Sequence, residues 1–256
     1  MAIAYRGKTE IEGIRRAGRV VMEVLAVLRA AVRPGVTTSE LNALAERELK
    51  ARGAISNFKG YRPERGVPPY PAVLCVSVDD EVLHGIPGRR VLREGEIVAL
   101  DMGAVVDGWH GDSAITVPVG QIAADAQRLL DITQEALRRG IAAAHPGARV
   151  LDISRAIQTY VEGQGCAIVR HYGGHGIGRA LHEDPFVPNY IERGQANSLL
   201  RPGMVMCVEP MVIAGAAATR ELPDRWTVVT ADGSRSAHFE HTIAITHGDP
   251  DILTTA

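Results

Sequence analysis

The stretch EIVALDMGAVVDGWHGDSAITVPV, residues 96–119, reads as strand, turn, strand. Asp107-Gly108 between two apolar runs is a strong two-residue hairpin signal, because the central positions of such a tight turn require positive φ. Centring the turn there places Asp101 opposite Ala114 and makes Asp112 its diagonal neighbour on the same sheet face, about 7 to 8 Å away between backbones. Two carboxylates at that spacing can reach toward one ion. Buried and unpaired, they would cost several kcal/mol or take up protons, and a bound cation is the simplest relief. Taken in isolation, the same two acids could equally face solvent or pair with Lys or Arg.

Outward from the hairpin, the pattern becomes helical. In residues 9–31, Ile11, Ile14, Ala17, Val20, Val21, Val24, Leu25 and Leu28 recur at three- and four-residue steps, with Thr9 as the expected N-cap. Pro34-Gly35 ends this helix, and a second opens at Thr38 or Ser39 and runs to about Arg52. Residues 59–71 carry Pro, Gly, Arg and Tyr without an apolar period and read as a loop, followed by a short strand over 72–78. Beyond the hairpin the order repeats: helices over about 123–145 and 150–164, then strands near 166–171, 204–213 and 236–246. Helix, helix, strands, twice over, suggests duplicated halves at about 1–120 and 121–256. With no linker between them, the halves are expected to share one sheet and one core in a single domain.

The second half carries its own chemistry. Gly173-Gly174-His175-Gly176-Ile177-Gly178 reads as a glycine-rich turn that presents His175, and His182-Glu183-Asp184-Pro185 follows. Val208-Glu209-Pro210 ends an apolar strand with an acid, and Glu240 stands in the run HFEHT before another strand. A lone His is more often a hydrogen-bonded structural residue, and a lone strand Glu more often faces solvent. As a set, Asp101, Asp112, His175, Glu209 and Glu240 offer four carboxylates and one imidazole, which suits Mn(II), Fe(II), Co(II) or Zn(II) better than a thiolate zinc site does. Four negative charges balance two divalent ions, which points to a paired-metal centre.

Composition sets the remaining limits. The 256 residues contain 28 Lys and Arg against 30 Asp and Glu, a net charge of −2, so no bulk attraction to nucleic acid or anionic lipid is implied. Cys75, Cys166 and Cys207 are too few and too scattered for a disulfide framework and fit reduced thiols. The first eight residues lack a signal-peptide pattern, and no stretch reaches the roughly 20 apolar residues of a membrane span, so a cytoplasmic protein is expected.

Several motifs are more specific: Lys8-Thr9-Glu10, Ile14-Arg15 and Ala17-Gly18 in the first helix, Pro34-Gly35-Val36, Tyr70-Pro71 before Cys75, and His84-Gly85-Ile86-Pro87. To these add Asp107-Gly108-Trp109-His110-Gly111-Asp112, Gly174-His175-Gly176-Ile177-Gly178, His182-Glu183, Glu209-Pro210-Met211 and Glu240-His241-Thr242. Along nearly its whole length the chain resembles type I methionine aminopeptidases. That resemblance implies an α+β pita-bread fold: pseudo-twofold duplicated halves around a central curved antiparallel sheet flanked by helices, in one catalytic domain.

The resemblance also implies roles. Asp101 and Asp112 with Glu240 would hold one metal; Asp112, His175, Glu209 and Glu240 would hold the other, with Asp112 and Glu240 bridging. The cofactor would be two divalent ions, Co, Mn, Fe or Zn, sharing a water acidified toward hydroxide. His84 and His182 would bind substrate without being primary ligands, and Glu209 would double as proton shuttle, making His84, His182 and Glu209 the catalytic set. Tyr70 and Cys75, joined by Tyr61 and Trp226, would form the substrate pocket, whose apolar character suits a thioether side chain. The substrates would be nascent polypeptides with an N-terminal Met and a small second residue. A monomer is implied, with the ribosome as a candidate partner and neither nucleic acid nor membrane.

The chain departs from the family pattern at Phe58, where Cys is common, Leu181, where Phe is common, and His238, where Gln is common. Residues 62–69 read as an insertion beside the pocket; the five metal positions are intact. The alternatives are an aminopeptidase P or prolidase, usually longer at the N-terminus than a helix starting near Thr9 would leave room for, and a non-catalytic binding module on the same fold. A binding module is expected to have lost ligands.

Overall fold

The computed structural model describes residues 2–64 and 66–255; Met1, Ala256 and, within the expected 62–69 insertion, Arg65 lie outside the described residues. Four helices, α1 (Lys8–Ala31), α2 (Thr38–Ala51), α3 (Ala124–Ala143) and α4 (Val150–Gly163), accompany fifteen strands among the described residues. In chain order these are β1 (Ile55–Ser56), β2 (Cys75–Val78), β3 (Glu81–Leu83), β4 (Ile97–Val106), β5 (Trp109–Pro118), β6 (Ala167–Ile168), β7 (Gly173–Gly176) and β8 (Glu183–Pro188). Then follow β9 (Val205–Val208), β10 (Met211–Ile213), β11 (Thr219–Glu221), β12 (Val228–Thr230), β13 (Ser236–His238), β14 (Glu240–Ala244) and β15 (Asp251–Ile252).

Nine strands form one antiparallel sheet in the order β1-β4-β5-β14-β9-β7-β8, with β2 on β4 and β15 on β14. Strands from both halves therefore meet in it, at β5 against β14. The hairpin register is the expected one: Asp101 faces Ala114 and Gly103 faces Asp112, across a turn in which Asp107 and Gly108 have φ 51° and 74°.

A period of two sorts the whole sheet into two faces. Val98, Leu100, Met102 and Ala104 of β4 and Val117 of β5 pack with Val21, Leu25, Leu28, Leu41 and Leu49 of α1 and α2. Met206 and Val208 of β9 and Ile243 of β14 pack with Leu130, Ala136, Ile153 and Ile157 of α3 and α4. The intervening positions point to the other face, and these are Asp101, Asp112, Cys207 and Glu240. Each helix pair covers its own half of the sheet, so the apolar interior divides into two large clusters and several small ones instead of one continuous core.

Some elements differ from expectation for identifiable reasons. Helix α1 begins at Lys8 with Gly7 as its cap, because the Glu10 carboxylate accepts the Gly7 N–H at 2.9 Å and closes the first turn early. In α2, Thr37 and Glu40 form a reciprocal capping box. The expected strand over 204–213 is two strands in different sheets: Pro210 cannot donate to a ladder, so the chain leaves the large sheet at Glu209 and β10 pairs with β13 and β6. The expected strand over 236–246 is likewise two, β13 and β14, separated at Phe239, whose N–H donates to the Pro210 carbonyl. The glycine-rich stretch expected as a turn is strand β7, paired with β8 and β9.

Candidate metal centre

All five expected ligands line one cavity of about 560 Å³, together with His84, His182, Tyr61, Tyr70, Cys75 and Trp226. Each comes from a different position in the sheet. Asp101 projects from β4, Asp112 from β5, Glu240 from β14 and His175 from β7, while Glu209 follows β9 where Pro210 turns the chain away. His175 is buried because β7 is a strand, and its glycines answer to neighbouring backbone: a Cβ at Gly174 would overlap the Cys207 carbonyl, and one at Gly176 the Asp184 carbonyl.

Burial and mutual repulsion dominate the electrostatics. Burial pushes Asp101 up to about 7; burial and the Asp101 charge push Glu209 up to about 8. Asp112 and Glu240 lie well above the usual carboxylate range, first from burial and then from the charges of Asp101 and Glu209, with Asp112 also raising Glu240. Burial holds His175 down at about 3, hence neutral, and its Nδ1 faces the Gly176 carbonyl at 3.0 Å. Its Nε2 is 3.6 Å from Glu209 Oε1.

This arrangement fits a cation. Asp112 Oδ1 and Glu240 Oε1 are buried without a hydrogen-bond partner, and among the described residues no Lys or Arg ion pair reaches the four carboxylates. Ligand atoms of Asp112, His175, Cys207 and Glu240 all lie within 4.8 Å of one another. The five expected ligands offer carboxylate oxygens and a neutral imidazole, the set suited to first-row divalent ions.

Around this centre the pocket wall is aromatic. Tyr70 stands edge-on to Trp226 at 5.1 Å and to Phe58 at 6.5 Å, and with Cys75, Ala72 and Val67 they make one apolar cluster. Pro63, Glu64 and Val67 of the 62–69 loop line the cavity, and Gly60–Tyr70 and Tyr70–Tyr61 backbone hydrogen bonds pinch that loop at its base. Tyr61 Oη lies 2.6 Å from His182 Nδ1, and the His182 ring packs on His175 at 4.1 Å. His84 sits edge-on between Trp226 and Tyr172. Leu181 lines the cavity, and His238, buried and held near 3 by that burial, approaches Glu209 Oε2 to 4.0 Å.

The family model for metallopeptidase family M24 matches residues 12–247. The chain belongs to metallopeptidase family M24. Among its members, methionine aminopeptidase 1 of Bacillus subtilis is 50% identical over 247 residues, 96% of each chain. The crystal structure of methionine aminopeptidase from Thermotoga maritima superposes with a TM-score of 0.94 at 41% identity, covering all of both chains. Prolidase from Pyrococcus furiosus shares the fold at a TM-score of 0.79, with 22% identity, 98% of this chain and 65% of the other covered. These M24 neighbours bear out the α+β pita-bread architecture.

Sequence reasoning missed Cys207 on the sheet face of the expected ligands, and Phe186 and Tyr172 in the cavity wall. Cys207 stands on β9 two residues before Glu209, which follows that strand, so period-two counting would have put it on the ligand face. Phe186, directly across from His175, and Tyr172 had no local signal, because β7 and β8 were not read as strands.

Proposed function

We propose that this chain is a metal-dependent aminopeptidase that hydrolyses the first peptide bond of polypeptides beginning with methionine. The observation that carries this reading is the 50% identity, over 96% of both chains, to a methionine aminopeptidase, against 22% to a prolidase whose likeness speaks only for the fold. The convergence of four carboxylates and an imidazole beside an aromatic pocket supports it. A non-catalytic binding module has no comparable support.

Asp101, Asp112 and Glu240 would hold one divalent ion, and Asp112, His175, Glu209 and Glu240 a second; Co, Mn, Fe and Zn all suit these donors. Bound there, such ions supply Lewis-acid polarisation and a water acidified toward neutral pH. The remaining work falls to this chain's side chains. Tyr61, whose phenol burial keeps protonated, lies within hydrogen-bond distance of His182 Nδ1; by donating there it would leave the His182 proton on Nε2, to offer the carbonyl oxygen of the scissile bond as negative charge develops. Glu209 takes a proton from the attacking water and passes it to the departing amine. Tyr61, Tyr70, Cys75 and Trp226 exclude water from the methionine side chain, and His84, in the wall beside Trp226 and Tyr172, contacts the peptide on the leaving side.

The finer reading is of a cytoplasmic monomer of two duplicated halves in one catalytic domain, acting on nascent chains with a small second residue near the ribosome. Among the described residues no helix is long and apolar enough to cross a membrane. The test is release of free Met from a Met-Gly-Met peptide by protein loaded in turn with Mn(II), Co(II), Fe(II) and Zn(II). Release that chelation abolishes is expected; no release with any of the four ions would overturn the reading.

A further inference from the structure

Beside the five expected ligands lies a buried sulfur that the set does not use, that of Cys207. Cys207 lies on β9, is fully buried, and pairs across the sheet with Thr242, two residues along β14 from Glu240. Its side chain therefore shares the face of Asp112, His175 and Glu240. Donor atoms of these four residues lie within 4.8 Å of one another. A tetrahedral site with bonds of about 2.0 to 2.3 Å has donors about 3.3 to 3.8 Å apart, so closing the group needs movements of about an ångström.

Two further observations point into the same space. Asp112 Oδ1 and Glu240 Oε1 are buried, on residues only 4% and 3% exposed, and neither has a hydrogen-bond partner. The sulfur's contact with Thr242 Oγ1 is 3.6 Å long, and the Thr242 hydroxyl already donates to the Asp112 carbonyl at 2.7 Å.

We propose that Cys207 gives the centre a second ligand set, Asp112, His175, Cys207 and Glu240, which binds thiophilic divalent ions such as Cd(II) through sulfur. This rests on the metal-centre reading above and adds a mode to it. Thiolate sulfur selects soft ions, whereas oxygen-preferring Mn(II) is served by the carboxylates. Binding breaks the S–H bond, forms one metal–sulfur bond and releases the proton to water, with no change of oxidation state. Asp101 and Glu209 stand outside this set. An ion held by it engages both shared carboxylates, Asp112 and Glu240, and displaces the paired arrangement, so Cd(II) acts as an inhibitor that excess Mn(II) reverses slowly.

The test titrates chelated protein with Cd(II) and follows the ultraviolet thiolate-to-cadmium charge-transfer band, beside Mn(II) binding by calorimetry. The expected result is one thiolate per Cd(II), retained in the Cys75→Ser/Cys166→Ser double variant and lost in Cys207→Ser, with Cd(II) affinity falling about 10-fold or more relative to Mn(II). Should Cys207→Ser fail to fold, the double variant decides, because Cys207 is then the one remaining thiol. Cd(II) binding without the band, or a band that survives Cys207→Ser and disappears with Cys75→Ser, overturns the proposal and leaves the metal centre standing. Failure to bind Mn(II) at all would instead sink the reading on which it rests.

Discussion

The hairpin β4–β5 and the glycine strand β7 both bring proposed ligands to one cavity, by opposite means. In the hairpin, ten residue pairs in unbroken register carry Asp101 and Asp112, and its turn needs only Asp107 and Gly108 in the left-handed region. In β7, His175 is placed by neighbours: Gly174 lies against the Cys207 carbonyl of β9 and Gly176 against the Asp184 carbonyl of β8. The first region is a local device that a short sequence can specify. The second exists only when three strands have assembled, so its half of the centre depends on packing as well as on ligand identity.

The strongest way to break this comparison is to remove the two acids proposed to bridge both ions. Asp112→Ala and Glu240→Ala are each expected to lose both ions, bringing Met release down to the background of chelated protein; elemental analysis beside kinetics checks it. Retention of one full equivalent of metal in either variant would mean the halves hold ions independently. Next, His182→Ala is expected to keep its metal and lose turnover by about 10²- to 10³-fold, the usual cost of one oxyanion donor. Normal turnover there would reassign the donor.

Two glycine substitutions sharpen the contrast directly. Gly174→Ala forces a Cβ into backbone and should cost about 1 to 3 kcal/mol of stability, with weaker metal binding, because β7 must move away from β9. Gly108→Ala, at φ 74°, should cost about 1 to 2 kcal/mol and leave metal affinity intact, since the added methyl meets only the mobile end of Arg179. Denaturant melts and metal titrations of the pair separate the two; equal loss of metal affinity would erase the distinction.

The smallest effect is electrostatic and belongs to metal-free protein. Asp101 and Glu209 titrate near 7 and 8 when folded, above the ordinary carboxylate value of about 4. The folded state binds those protons more tightly than the unfolded chain, so their contribution is complete below about pH 4 and is lost as pH rises through 7 to 8. Chelated protein should therefore melt lower at about pH 9 than at about pH 6, with Mn(II) narrowing the gap. A flat profile after chelation would show that the acids are not crowded as described.

The site was legible to different depths for the same reason. Asp101 opposite Ala114 follows from turn chemistry and a period of two, and Glu209 at a strand end follows from an apolar run meeting Pro210. His175 was visible as a residue but not as part of a strand, because Gly173 to Gly176 offers no alternating side chains from which to read one. Cys207 was countable from Glu209, whereas its nearness to Asp112 and Glu240 was not.

What the sequence determined by itself were features set by neighbours along the chain: four amphipathic helices, one hairpin with its register, and five residues whose chemistry calls for a cation. The tertiary structure alone decided the order in which β5, β14, β9, β7 and β8 lie side by side, and with it the cavity those residues share. Local propensities act over a turn or a few residues, but the pairing of strands more than a hundred residues apart is decided by which faces can be buried together.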